Sequence, residues 1–239
     1  REFLLASLAV AAVRIQPRLK NFVWLRPSLR KTPDELQRDF TSLRAAGIHG
    51  VIAEIYSGSE ALFQSKRLPV RSPWLETAIP LAETAGLEMH AWMWSMPCTN
   101  PEVLQKHPDW YNVNARGESA ADKPAYVPYY KFLDPARPEV REFVRDIVRE
   151  LAAIPGLTGV HLDYIRQPSV AIGYDPTSRA RFAQRSGVDP MMFSRQPKSE
   201  RARLEADWLA FQQEQVTAIV QGVRDSMAAT RPGLPLRAA

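Results

Sequence analysis

Short blocks of apolar and polar positions recur along the chain and predict strands and helices in regular turn. Asn21 to Arg26 reads as a first strand. Thr32 to Ala46 reads as a helix, announced by Thr32 as N-cap, Pro33 in the first turn and Glu35 at the third helical position, and stopped by Gly47. Gly50 to Tyr56 is the second strand, Trp74 to Ala85 the second helix and Leu87 to Trp94 the third strand. A long excursion follows, with a short helix near Pro101 to Lys106. A full helix over Pro138 to Ala153 then leads to a fourth strand, Leu157 to Tyr164. A polar insertion with a short helix at Thr177 to Ser186 precedes a long helical segment, Glu200 to Ala229, and a fifth strand starts at Leu236. Strands alternating with helices predict an α/β fold with a parallel sheet and outer helices.

Successive side chains of a strand point to opposite faces. One face of the four complete strands gathers Phe22, Trp24, Arg26, Glu54, Tyr56, His90, Trp92, Trp94, His161 and Asp163. The other holds Val23, Leu25, Val51, Ala53, Ile55, Met89, Ala91, Met93, Val160 and Leu162. The second face is dry and belongs under a layer of helices. The first is charged and aromatic, which a sheet covered by helices on both sides would bury at a cost. A (β/α) barrel with an open mouth accounts for it better. The run Gly159 to Pro168 (GVHLDYIRQP) ends such a strand in Asp163, Tyr164 and Arg166, at the end where these folds keep their active sites. The plain alternative is a solvated carboxylate closing an edge strand.

The 239 residues, 45% hydrophobic and 24% charged, suit one globular α/β domain with a sizeable core and exclude a disordered chain as the main state. The net charge of +5 is spread along the helices, which gives no support to a nucleic-acid partner. Cys98 is the single cysteine and forms no internal disulfide. Phe3 to Val13 is small and apolar after Arg1, and Ala9-Val10-Ala11 fits a small-x-small cleavage pattern. Residues 1–13 are therefore expected to be a residual signal-peptide-like segment, with export to the periplasm or cell envelope; a short buried helix of a cytoplasmic protein is the alternative. At about 11 residues the run is well short of the roughly 20 needed to span a bilayer, and no second stretch suggests a membrane span. Nothing in the sequence sets an oligomeric state.

Indoles beside carboxylates suit sugar recognition, because an apolar ring face packs on the indole while hydroxyls meet polar groups. Trp24, Trp92, Trp94 and, in the long third loop, Trp110 beside Tyr111 are candidate sugar contacts, with core packing as the alternative for each. Glycoside hydrolysis needs two carboxyl groups. Asp163 is the first candidate, Glu54 the second and Glu60 the third; Glu54 equally fits an ion pair with Arg26 on the neighbouring strand. Arg166 is placed to hold a carboxylate or a sugar hydroxyl. His90, His161 and Asp163 lack a zinc-site spacing, and the chain carries neither a Gly-rich phosphate loop nor a serine nucleophile elbow, so neither metal nor cofactor is predicted.

The segments EIYSGSEALFQS (54–65), His90-Ala91-Trp92, His107-Pro108-Asp109-Trp110, LDPARPEVR (133–141) and GVHLDYIRQP (159–168) together resemble the glycosyl hydrolase-like family 10 proteins. The resemblance continues through Gln213-Glu214-Gln215-Val216 and Arg231-Pro232-Gly233. It implies a (β/α)8 TIM barrel of glycosidase type, often exported, with Asp163 as the carried-over catalytic candidate, His161 and Arg166 beside it, and a carbohydrate as substrate. A barrel of this kind takes about 250 residues and eight strands, whereas this chain reaches the fifth. Residues 21–239 are therefore expected to be the N-terminal part of the barrel, inactive alone, with the second carboxylate beyond Ala239. A non-catalytic carbohydrate-binding barrel and a structural envelope domain are the rival expectations.

Overall fold

Five strands lie in one parallel sheet in chain order: β1 (Phe22–Leu25), β2 (Gly50–Tyr56), β3 (Glu88–Trp94), β4 (Gly159–Asp163) and β5 (Leu236–Ala238). Helices α1 (Pro33–Ala45), α2 (Trp74–Thr84), α3 (Pro101–Lys106), α4 (Pro138–Ala153), α5 (Pro176–Ser186) and α6 (Lys198–Thr230) connect them. The computed structural model describes residues 19–169 and 171–238. The signal-peptide-like segment expected at 1–13 lies outside the described residues.

Local chemistry sets the helix ends. Thr32 Oγ1 accepts from Glu35 N at 3.3 Å while the Glu35 carboxylate accepts from Thr32 N at 2.8 Å, so the capping box closes as its spacing predicts. Asp175 caps α5 by accepting from Thr177 N and Ser178 N. Two short 3-10 turns, Pro108–Trp110 and Pro190–Arg195, were not anticipated from the periodicity.

Most of the face predicted to be dry is dry: Val51, Ala53, Ile55, Met89, Ala91, Met93, Val160 and Leu162 are almost wholly buried in one core with residues of α1, α2, α4 and α6, while Val23 and Leu25 of β1 are half-buried at its edge. A parallel sheet covered by helices on one face, with a polar and aromatic opposite face, is the partial (β/α)8 barrel predicted. The excursion between β3 and α4 packs its own small core from Cys98, Val103, Tyr111, Leu133 and Val140. The insertion after β4 builds another from Phe182, Phe193, Trp208 and Phe211. No helix among the described residues is long and apolar enough to cross a membrane.

Candidate active site

The inner face is organised in layers set by strand register. Trp94 pairs with Asp163 at the top; Glu54, Trp92, His161 and Arg237 pair one layer below; Ile52, His90 and Gly159 pair below that. The top layer sits at the carboxyl ends of the strands, where barrel active sites form.

Asp163 is half-buried, and each of its oxygens is held. Oδ2 accepts from Trp92 Nε1 at 2.9 Å, and Oδ1 accepts from the backbone N–H of Tyr164 at 2.8 Å. Two fixed N–H donors set the plane of the carboxylate. Glu54 accepts from Trp94 Nε1 at 3.2 Å and pairs with Arg26 Nε at 3.4 Å. The ion pair expected between Arg26 and Glu54 is thus present, with Glu54 mostly covered and Arg26 in solvent. The backbones of Glu54 and Asp163 stand two strands apart, about 10 Å sideways.

Tyr164 follows β4 directly, and plain alternation would turn its ring to the dry face with Val160 and Leu162; the structure departs from this. The Tyr164 φ of 52° ends β4 in the left-handed region, unusual for a bulky residue. The ring comes to 4.9 Å from Trp94 and 5.2 Å from Tyr130, and the Tyr164 and Tyr130 hydroxyls meet at 2.7 Å. That hydrogen bond, helped by burial, pushes the Tyr164 hydroxyl up to about 12. The guanidinium of the exposed Arg166 lies 5.5 Å above the same ring.

Tyr56 departs in the opposite sense. A register shift between Glu54 and Tyr56 turns its ring into the helix-side core, where the hydroxyl lies 3.8 Å from Cys98 Sγ, away from Asp163. Alternation counts residues in twos, and a bulge adds one.

Trp24 packs edge-on against Trp92 and His161, each at 4.6 Å, with 47% of its surface exposed. His161 is buried beneath Asp163, and neither ring nitrogen has a hydrogen-bond partner among the described residues. Burial lowers its pKa, against the pull of Asp163. His90 lies at the floor: Nε2 meets Glu88 at 3.1 Å and the ring packs on Gly159, where an added Cβ would come within 2.1 Å of Nδ1. Burial lowers the His90 pKa as well. Glu60 is exposed and lines a mouth cavity of about 530 Å³ with Arg26, Arg30, Glu54 and Arg71. Trp110 is not at the mouth; it stacks on His107 at 4.0 Å and leans on Phe143 of α4, on the outer side.

The site therefore brings Asp163, Trp92, Trp94, Tyr164, Glu54 and Arg26 together with Trp24 and His161, leaves Tyr56 behind the mouth cavity with its ring in the core, and leaves His90 and Trp110 elsewhere. Sequence reading passed over Tyr129 and Tyr130, which lie against Trp94, Tyr130 also against Tyr164, and over Tyr126, which meets Tyr130. Their signal was three tyrosines within five residues of a long loop. No cluster of three or more His, Cys, Asp or Glu among the described residues is placed to hold a metal ion.

Fold and site together define a barrel of the glycosidase type. The glycosyl hydrolase-like 10 family model matches residues 20–238, and the chain belongs to that family. Nothing among curated protein sequences matches it. Solved structures share the fold at low identity. The glycoside hydrolase domain of PgaB (BpsB) from Bordetella bronchiseptica is 14% identical with a TM-score of 0.72, over 92% of this chain and 65% of that one. Alpha-L-fucosidase isoenzyme 2 from Paenibacillus thiaminolyticus is 15% identical (TM-score 0.67, 92% and 32%), and a beta-galactosidase from Marinomonas ef1 is 16% identical (TM-score 0.67, 92% and 37%). The chain thus spans from about a third to just under two thirds of the length of these structures.

Proposed function

We propose that the chain is part of a glycoside hydrolase acting on a polysaccharide of the cell envelope or environment, with Asp163 as nucleophile or charge stabiliser. One observation carries the reading. Asp163 stands at the carboxyl end of a barrel strand with both oxygens oriented by N–H donors, beside an aromatic mouth of Trp92, Trp94 and Tyr164. A carboxylate fixed in this way can face an anomeric carbon without reorganising as charge develops there. Membership of a glycosyl hydrolase-like family supports the same chemistry.

Glu54 suits substrate positioning better than proton donation, because its charge is already matched by Arg26. The same pairing favours a second reading, a carbohydrate-binding barrel without catalysis, since hydrolysis needs a second carboxyl group within about 5 to 9.5 Å. Asp163→Asn in the full chain separates the two. Loss of glycan hydrolysis with binding retained supports catalysis by Asp163; equal turnover by the variant rules it out.

A further inference from the structure

The excursion between β3 and α4 contains Tyr126, Tyr129 and Tyr130, and their rings form a row that starts at the site. Trp94 lies 5.9 Å from Tyr130 and 6.4 Å from Tyr129; Tyr129 and Tyr130 meet edge to face at 4.9 Å; Tyr126 follows at 6.4 Å from Tyr130. The inner end of the row touches both carboxylates indirectly, since Trp94 donates to Glu54 and the Tyr164 N–H donates to Asp163. The outer end is in solvent: Tyr129 is 53% and Tyr126 58% exposed.

Exposed rings in a contiguous patch forgo burial energy and mark a place of contact. Nor are these rings loose ends, because the Tyr126 hydroxyl donates to the Pro168 carbonyl and so ties the β3 excursion to the loop after β4. Beyond Tyr126 opens a cavity of about 550 Å³ lined by Asn114, Arg116, Glu118, Lys123 and Ser169. Glu118 accepts from Asn114 at 2.8 Å, from Arg116 at 3.0 Å and from Lys123 at 2.5 Å, so both cations of the lining are turned onto one carboxylate and the cavity keeps a small positive excess among mixed polar and apolar groups. Apolar ring faces leading into a cavity with Asn114, Glu118 and Ser169 as hydrogen-bonding groups, its two cations both engaged by Glu118, suit sugar rings. A polyanion would call for uncompensated cations, and a protein helix for a wider apolar groove.

We infer that Tyr129, Tyr126 and the cavity lined by Asn114, Glu118 and Ser169 form outer subsites for sugar rings remote from the bond at Asp163, which select chains over single sugars. The inference rests on the glycosidase reading and extends it to substrate length.

The test uses the full chain carrying Asp163→Asn, titrated calorimetrically with β-linked glucose, galactose and N-acetylglucosamine oligosaccharides of two to six rings. At least one series is expected to bind more tightly with length, and Tyr129→Ala to weaken its six-ring member by about tenfold, the scale of one lost aromatic contact. Tyr129→Phe should keep the length dependence, which separates ring contact from loop collapse. The inference is overturned if no series binds, or if the gap between two and six rings is the same with and without the Tyr129 ring. Continued hydrolysis by Asp163→Asn alongside length-dependent binding would remove the catalytic role of Asp163 and leave the outer subsites standing.

Discussion

Trp92 does two things at once: its ring packs against Trp24 in the inner layer, and its Nε1 holds Asp163 Oδ2. Substitution can separate them. Trp92→Phe keeps an aromatic body and removes the donor, so one carboxylate oxygen loses its orientation. A hydrogen bond to a charged group contributes about 1.5–3 kcal/mol, which corresponds to roughly 10- to 100-fold in rate if felt in the transition state. The expected outcome is a fall in kcat of that order with KM little changed, measured on the oligosaccharide identified by the titration. A fall confined to KM would assign Trp92 to binding alone.

At the scale of elements, the chain's own punctuation is legible where it acts locally. Thr32, Pro33 and Glu35 start α1 as their spacing requires, and Thr32→Ala should lower stability by about 1 kcal/mol in urea denaturation without altering glycan binding. Strand alternation likewise separated Val51, Met89 and Val160 from Trp92 and Asp163, because in-register parallel strands keep one parity. It failed at two strand ends. The bulge turned Tyr56 to the helix side, and the left-handed φ of Tyr164 brought its ring to the mouth; both are settled by contacts with β3 and the loop after it, which are remote in sequence. Trp110 was misplaced for a similar reason, since a loop as long as the β3 excursion can fold back on α4 as easily as over the barrel.

The joining of loops also hid a buried acid pair. Asp134 and Asp175 are both fully buried, with one oxygen each bonded to backbone amides, of Ala136 for Asp134 and of Thr177 and Ser178 for Asp175. Their Oδ2 atoms have no hydrogen-bond partner among the described residues, and burial together with the neighbouring Asp175 favours a proton on Asp134. Burial, then the Asp175 hydrogen bond, raises Asp134 well above its ordinary 3.8; for Asp175 burial acts upward too, but the hydrogen bonds from Asp134 and from the α5 amino end outweigh it and hold it low. A raised folded-state pKa gives stability that is complete below the unfolded value and lost as pH rises toward the folded one. Asp134→Asn carries a permanent N–H donor in place of that proton. Its Tm should therefore fall less than that of the unaltered protein as pH is raised from 5 to 9, and a slope unchanged by the substitution would show that the pair holds no proton.

Across the whole molecule a second slope runs the other way. His161 and His90 sit inside the barrel face, and burial lowers both below their ordinary 6.5, despite the nearby Asp163 and Glu88 carboxylates. Arg237 of β5 adds to the lowering for both imidazoles. The unfolded chain takes up protons on these imidazoles at a higher pH than the folded chain does. Stability is therefore complete above about 6.5 and lost as pH falls from there toward the folded values. The two slopes oppose each other: falling pH below about 6.5 works against the unprotonated inner imidazoles, and rising pH above about 3.8 works against the proton held on Asp134. His161 is the cleaner lever, because its ring nitrogens have no partner among the described residues and an apolar ring of similar shape loses no hydrogen bond. His161→Phe should leave Tm at pH 7.5 unchanged or higher and shrink the drop between pH 7.5 and 5.5. A drop as large as in the unaltered protein would move the acid sensitivity to His90, where the Glu88 contact at 3.1 Å makes the imidazole harder to replace.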